Sequence, residues 1–557
     1  MIAPRSVRSP LTVVLLAAFA LITVASLALE AWLEVDRTPE RPLATIVSVW
    51  QEGTRRARRV VSGDPSSALV AEASAPGAVR VFEEVLDEGP ILTRSPLLFA
   101  LSFVPERDGV KVSFRGREAF ATPDDLIKIK AYEPQRELGA LRYRAGLDPE
   151  LVFGFLAGEL GTTGEELARE GNFRRFAARR RVPGKPPQRD DLSIETLRES
   201  VISAARYLAR VVRRDGTYRY EIDAMSGEEL PGYNWPRHSG ATLFLAEVAG
   251  YTNDRRLQRA VRLAAWRLVE HATADCGSRK CIAAGNRADL GSSALALIAY
   301  AELVESGVLA NLRPHVHELA EFLRSQQRPD GEFMHFYDRK RSQPVDQQVQ
   351  YYTGEAALAL SRAHRITNNA ADLAAARRAL EFLVDKPALF VGSRYYWAAE
   401  HWTCQAMEDL WDRAPNQRAL EFCLDWQEWT RNTLIDEREA APEYEGACTR
   451  GPFLTPRLTL SASRMEAGVA TLAIAVDAGV SERTLERLEA GVQRTLRFML
   501  RYQLRPGPAH LMADPALIFG AFAGGLTDIR VRIDEPQHAG AALLRYLKLQ
   551  ERRRARD

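Results

Sequence analysis

The chain predicts a mainly α protein: a C-terminal (α/α)6 toroid, six helical hairpins closed into a ring, preceded by a small N-terminal α/β domain and an N-terminal transmembrane or signal helix. Three observations carry this prediction. Six segments open alike, with a polar side chain beside an Ala/Gly/Ser cluster: His238-Ser239-Gly240-Ala241, Leu290-Gly291-Ser292-Ser293-Ala294, Tyr352-Thr353-Gly354-Glu355-Ala356, His401-Trp402-Thr403-Cys404-Gln405-Ala406, Arg464-Met465-Glu466-Ala467-Gly468 and Gln537-His538-Ala539-Gly540-Ala541. Long amphipathic helices, Arg/Glu-rich on one side, alternate with these openings near 194–212, 255–271, 312–327, 371–384, 418–433 and 482–503. Connections out of the small-residue helices are short, as at Tyr251-Thr252-Asn253-Asp254 and Asn368-Asn369, whereas those leading into them run to about twenty or thirty residues, far beyond ordinary helix–helix loops.

Residues 1–34 form the signal anchor or signal peptide. Arg5 and Arg8 precede an uncharged, mostly apolar stretch at 11–29, and Glu30, Glu34 and Asp36 follow it. That polarity leaves the N-terminus in the cytoplasm and the remainder across the membrane. The stretch is about the minimum for a spanning helix, while Ser26-Leu27-Ala28 has the small-x-small form of a cleavage site; an uncleaved anchor is preferred over a cleaved signal peptide. Either way the main domains are expected to be extracytoplasmic, periplasmic or extracellular.

Residues 35–181 lack the later repeat and read as a small mixed α/β domain. Helix-like amphipathic sequence at 43–61 is followed by strand-like stretches at 97–103 and 109–114 and by further helix at 149–169, with Arg107-Asp108-Gly109-Val110 as a hairpin turn. The run Val182-Pro183-Gly184-Lys185-Pro186-Pro187-Gln188-Arg189-Asp190 cannot continue a helix and buries little, so 182–191 reads as a linker. The toroid then occupies 192–550, and 551–557 is a basic tail.

Composition narrows the function classes. Lys+Arg 75 against Asp+Glu 73 gives nothing global that argues for nucleic acid. The local basic runs at 174–181 and 552–556 read as solvated or membrane-proximal charge. Five cysteines, Cys276, Cys281, Cys404, Cys423 and Cys448, would lie where disulfides persist. Cys276 and Cys281 flank the polar loop Gly277-Ser278-Arg279-Lys280 and are expected to be bridged.

Because hairpins alternate direction, every long loop falls at the end of the ring where the inner helices begin, and sites are usually built on such loops. Helix N-termini carry partial positive charge and free N–H groups, which favour carboxylates and hydroxyl-rich or anionic ligands. The repeat order and helix starts over roughly 192–550 resemble the six-hairpin toroid superfamily of carbohydrate-active enzymes, which includes glycoside hydrolases, polysaccharide lyases and N-acylglucosamine-epimerase-like proteins. More distantly, Asp215-Gly216-Thr217-Tyr218 and Gln327-Arg328-Pro329-Asp330-Gly331-Glu332-Phe333 look like the turns of terpenoid-cyclase toroids, though the cyclase Asp-rich acid motif is missing. A zinc set of Cys404, Cys448 and His538, as in lanthionine-cyclase toroids, lacks that family's Cys-His-Gly motif, and no metal or cofactor is expected.

The resemblance implies that substrate enters the ring mouth above the inner-helix starts. Catalytic candidates are His238, Glu355, His401, Glu466 and His538. Histidine near its ordinary pKa can take or give a proton, and a carboxyl pair can hydrolyse a glycosidic bond. Substrate-binding candidates are Tyr233, Asn234, Arg237, Tyr352, Trp402, Arg464, Asp534 and Gln537, with Arg237 and Arg464 able to grip a carboxylate bidentately. The expected function is a membrane-anchored extracytoplasmic carbohydrate-active enzyme, a hydrolase, lyase or epimerase acting on a carbohydrate or cell-envelope polymer. The alternatives are a non-catalytic glycan-, lipid- or protein-binding toroid, or an isoprenoid- or peptide-modifying one.

Overall fold

The computed structural model describes residues 42–92, 103–104, 107–132, 135–138, 141–144, 146–182, 191–385, 401–436, 444–449, 456–505, 508–525 and 527–556. The apolar stretch at 11–29 lies outside them, as do most of the strand-like stretch at 97–103 and of the linker, and the segment preceding His401. Among the described residues no helix is long and apolar enough to cross a membrane.

The N-terminal domain begins with β1 (Ala44–Gln51) and β2 (Thr54–Val61). This corrects the helical expectation for 43–61. Ile46, Val47, Val49 and Trp50 are all buried, and Glu52 and Gly53 both take the positive φ of a tight hairpin turn. Strands β3 (Val79–Ile91), β4 (Asp108–Phe114) and β5 (Arg117–Ala121) follow, then helix α1 (Pro123–Lys128). The β4–β5 hairpin turns at Arg115-Gly116, at the far end of β4 from the turn read in the sequence. A short hairpin, β6 (Gln135–Leu138) and β7 (Leu141–Arg144), leads to α2 (Pro149–Leu160) and α3 (Gly164–Glu170), broken by Gly161 in the left-handed region, and then to β8 (Asn172–Arg181). The main sheet is antiparallel, ordered β2-β1-β3-β8-β4-β5. The basic run at 174–181 is therefore a strand: Arg180 pairs with Asp124 at 2.5 Å and Arg179 with Glu84 at 2.7 Å.

The toroid follows as six outer–inner hairpins: α4 (Ile194–Val211) with α5 (Trp235–Thr252), α6 (Arg255–Arg267) with α7 (Leu290–Glu305), and α8 (Arg313–Gln326) with α9 (Tyr352–Thr367). The second half pairs α10 (Ala370–Asp385) with α11 (Trp402–Leu410) and α12 (Gln417–Arg431) with α13 (Leu458–Asp477). In the last pair α14 (Glu482–Tyr502) reaches α16 (Asp534–Arg556) through the short α15 (Pro515–Ile518). Each inner helix packs on the next, and α16 packs on α5, which closes the ring. The basic residues at 551–556 continue α16 and are no separate tail; Arg553 pairs with Glu489 at 2.7 Å.

The small-residue openings are seats for neighbouring inner helices. A Cβ on Gly291 would come within 2.3 Å of the Tyr352 ring and 2.4 Å of the Glu355 carboxylate, and one on Gly240 within 2.4 Å of the Gln537 amide. The short inner-to-outer turns use Asn253 and Asn368 in the left-handed region (φ 54° and 56°), which asparagine tolerates. The long connections carry a small sheet at the mouth, β10 (Thr273–Cys276), β11 (Arg279–Ala284), β12 (Arg287–Asp289), β13 (Phe336–Asp338) and β14 (Gln343–Val345). Nearby β9 (Glu221–Asp223) pairs with β15 (Arg530–Arg532). The two domains join through Trp50, Ile127, Met225, Leu511 and Ile529, and through a buried His510–Asp124 pair at 2.6 Å.

Cys276 and Cys281 are bridged as expected, and a second disulfide joins Cys404 on α11 to Cys423 on α12. That bond removes Cys404 from any zinc set with Cys448 and His538, and Cys448 is a buried free thiol.

Candidate active site

Three inner helices deliver one cluster to the ring axis. His401 immediately precedes α11, Glu466 lies in the third turn of α13, and His538 lies in the second turn of α16. Glu466 Oε2 is 2.9 Å from His401 Nε2 and 2.9 Å from His538 Nδ1, and the two rings meet edge to face at 5.3 Å. A carboxylate only accepts, so the His538 Nδ1 that hydrogen-bonds it carries its proton. In the neutral imidazole this leaves His538 Nε2 with a lone pair, and that atom has no hydrogen-bond partner among the described residues. The His538 side chain is 15% exposed, against 3% for Glu466.

The charges follow from the geometry. Burial penalises the Glu466 carboxylate, yet the two histidines outweigh it and bring its pKa down to about 2. Burial likewise opposes charge on His538, but Glu466 and then Asp534 overcome it and raise its pKa. Trp402 lies against the His401 ring at 4.6 Å between centroids and is itself buried. The three ligand atoms lie within 4.8 Å of one another, the donor types of a two-histidine, one-carboxylate metal centre.

A second group lies beside this cluster. Arg237 Nε donates to Asp534 at 2.9 Å and Arg532 Nε donates to the same carboxylate at 2.6 Å, while Arg237 Nη1 donates to the Tyr220 hydroxyl at 2.8 Å. Asn234 caps α5 through the Arg237 N–H and also reaches Tyr220 at 2.9 Å. The Gln537 amide is 3.4 Å from His538 Nδ1. Glu355 is buried on α9 beside Tyr351 and Tyr352, whose hydroxyls are pushed up, by burial first; Glu355 adds to both, and Asp289 to Tyr352 more than Glu355 does. Asp534 lies one turn before His538 on α16, so the Arg237–Asp534 pair sits on the same helix face as the cluster.

Two expected members face elsewhere. His238 turns outward to α6: Nε2 donates to the Ala264 carbonyl at 2.9 Å and Nδ1 accepts from the Tyr233 hydroxyl at 2.6 Å. Burial, with Arg267 nearby, drops its pKa to about 4, so it is a neutral tie between helices and Tyr233 its partner. Arg464 sits two residues before Glu466, about 200° around the helix, and points away from the axis to the Thr433 hydroxyl at 2.7 Å and over the Trp429 ring. Nor are the last two motifs helix starts: α13 begins at Leu458 and α16 at Asp534, so Glu466 and His538 act from within helices, beyond the reach of free N-terminal N–H groups.

Sequence reasoning missed Asp289, Tyr351 and Arg532. Asp289 caps α7, accepting from the Ser292 N–H at 2.7 Å, and burial raises its pKa despite that bond. Its signal was present as Asp before Leu290-Gly291-Ser292. The buried His335–Glu332 contact at 3.2 Å, with Thr353, was missed too; it ties the Asp330-Gly331 turn to α9.

No family model matches the chain, and no curated protein matches it. Among solved structures, a D-mannose isomerase superposes with a TM-score of 0.50 at 13% identity, covering 64% of this chain and 97% of that one. The cellobiose 2-epimerase of Bacillus thermoamylovorans B4167 gives 0.50 at 9% identity, covering 64% and 98%. An α-1,6-mannanase of Salegentibacter sp. HEL1_6 gives 0.46 at 11% identity, covering 63% and 99%. The chain thus shares the six-hairpin (α/α)6 toroid fold of the D-mannose isomerase and the cellobiose 2-epimerase, here carrying an additional N-terminal sheet domain.

Proposed function

We propose that the protein is a membrane-anchored, extracytoplasmic carbohydrate-active enzyme whose axial histidines move a proton on a sugar, an epimerase or isomerase in reaction type. The observation that carries this reading is the pair of imidazoles on the Glu466 carboxylate. Glycoside hydrolysis requires two carboxyl groups flanking the bond, one of them protonated. Glu466 is held ionised between two histidines, which suits it to orienting rings and balancing an imidazolium. His538 Nε2 then serves as the base that removes a proton from a carbon next to a carbonyl, with Glu466 stabilising the imidazolium formed. His401 is the second proton carrier, and Arg237, Tyr351 and Glu355 line the approach for sugar hydroxyls. The fold of the isomerase and epimerase above supports the substrate class. The apolar stretch at 11–29 and the two disulfides support a membrane anchor with the toroid on an oxidising side.

The test is incubation with hexoses, uronic acids, amino sugars and disaccharides in D2O, followed by NMR. Deuterium entering a sugar C–H with wild type, and falling about 10²–10⁴-fold in His538→Ala and Glu466→Gln, is the expected result. Shortening of an oligosaccharide without exchange would instead establish a hydrolase. Membrane fractionation, with thiol labelling before and after reduction, tests the location.

A further inference from the structure

On the outer wall of the ring, away from the axial cluster, one face of α12 and one face of α14 part around a cavity of about 250 Å³. Two side chains of α12, one turn apart, point into it with unmet hydrogen-bonding capacity. Gln427 and Thr430 are 5% and 1% exposed, and among the described residues neither the Gln427 amide nitrogen nor the Thr430 hydroxyl has a hydrogen-bond partner. Buried polar atoms left this way are costly, and a bound partner is the ordinary remedy. The opening comes from Gly491 on α14: a Cβ there would meet only the Arg431 stem, at 3.6 Å, so the space is open by composition and not by clash. Glycine disfavours the helix it sits in, so the gap is kept against local propensity.

The rest of the lining indicates the occupant. Leu434, Met465, Leu488 and Val492 give an apolar floor. At the rim Glu428 takes Arg431 at 2.7 Å and Arg487 at 2.5 Å, and Asp425 adds a second carboxylate, so two positive and two negative groups cancel. An apolar floor, an amide and a hydroxyl inside, and a charge-balanced rim suit a neutral ligand with a C–H face and several hydroxyls. The volume lies just below the usual range for ligand sites, which admits one ring and no polymer. We infer that the α12–α14 cavity is a second binding site, for a neutral monosaccharide or a cyclic polyol of that size. Met465 on its floor adjoins Glu466 in the chain, so α13 separates this site from the axial one.

Calorimetric and ligand-observed NMR titrations of Glu466→Gln protein, in which axial turnover is stopped, against D-glucose, D-mannose, N-acetyl-D-glucosamine and myo-inositol to about 20 mM test this. The expected result is saturable binding of at least one probe, abolished by adding Gly491→Leu and weakened about five- to tenfold by adding Thr430→Val. Thr430→Val is isosteric and relieves an unpartnered hydroxyl, so it keeps the fold and raises Tm. Glucosamine and glucuronate are expected to bind more weakly than the neutral probes. No saturation with any neutral probe, binding indifferent to both cavity substitutions, or a preference for a charged sugar would overturn the inference.

Discussion

The two ends of the inner ring both bury charge, and they do it with different chemistry. At the far end Arg362 meets Asp409 at 2.6 Å and Glu302 at 3.1 Å, Arg365 meets Asp409 at 2.9 Å and also Glu305, and Arg545 reaches Glu408 and Gln405. Burial opposes the charge on Asp409, but Arg362 leads the groups that bring its pKa to about 2. Arginine does not titrate in proteins, so that network is permanently ionised and serves as a fastener. At the mouth the carboxylate is Glu466, equally buried and brought down to about 2, but its partners are histidines. Substituting histidine for arginine around a buried carboxylate turns a fastener into a group that exchanges protons near neutral pH.

The largest difference between the two ends is expected at Glu466. Glu466→Gln should lower kcat/KM by about 10²–10⁴-fold in the isotope-exchange assay while the protein remains folded, because the amide neither orients both rings nor balances an imidazolium. Arg362→Met at the opposite end should do the reverse, costing about 3–5 kcal/mol in denaturant unfolding by leaving Asp409 and Glu302 short of their cation, with turnover per folded molecule unchanged. A large loss of turnover at constant Tm in Arg362→Met would erase the distinction.

Smaller effects are expected at the second disulfide and at His238. Reducing Cys404–Cys423, which closes a loop of 19 residues beside the site, should cost about 3 kcal/mol and lower Tm by several degrees. His238→Leu should cost about 1–3 kcal/mol for the two hydrogen bonds it strands, with kcat/KM nearly constant; a loss of turnover beyond tenfold would return it to the catalytic set.

The pH dependence closes the series. The folded pKa of His538 is raised, so its free Nε2 is lost as pH falls through that raised value, and activity should show an acid limb above the ordinary histidine value of 6.5 that moves down in Glu466→Gln. In stability the same shift contributes fully below 6.5 and is lost as pH rises through the raised value. Glu466 has the opposite sign: its contribution is complete above its unfolded value of 4.5 and disappears as pH falls toward about 2, which urea unfolding at stepped pH measures.

The outer helices were legible nearly to the residue, because a one-sided apolar stripe at helical spacing has few other uses. The segment at 43–61 was misread because its apolar residues, Ile46, Val47, Val49 and Trp50 and then Val60 and Val61, follow no strict alternation over a window too short to separate the helical period from the strand period; pairing of β1 with β3 decided it. His401, Glu466 and His538 were legible as candidates, since chemistry-bearing residues among small ones are conspicuous. Their association was not legible, because nothing in the sequence states the rotation of a helix about its own axis. Arg464 and Glu466 sit in the same motif and face opposite ways.

By itself, then, the sequence determined the number of hairpins, the direction of every helix and the end of the ring that carries the long loops, since periodicity and loop length are local quantities. Tertiary structure decided which histidines meet Glu466 and which one merely ties α5 to α6. That choice depends on helix rotation and on where glycines such as Gly240 and Gly291 let neighbours approach, and packing of the closed ring sets both.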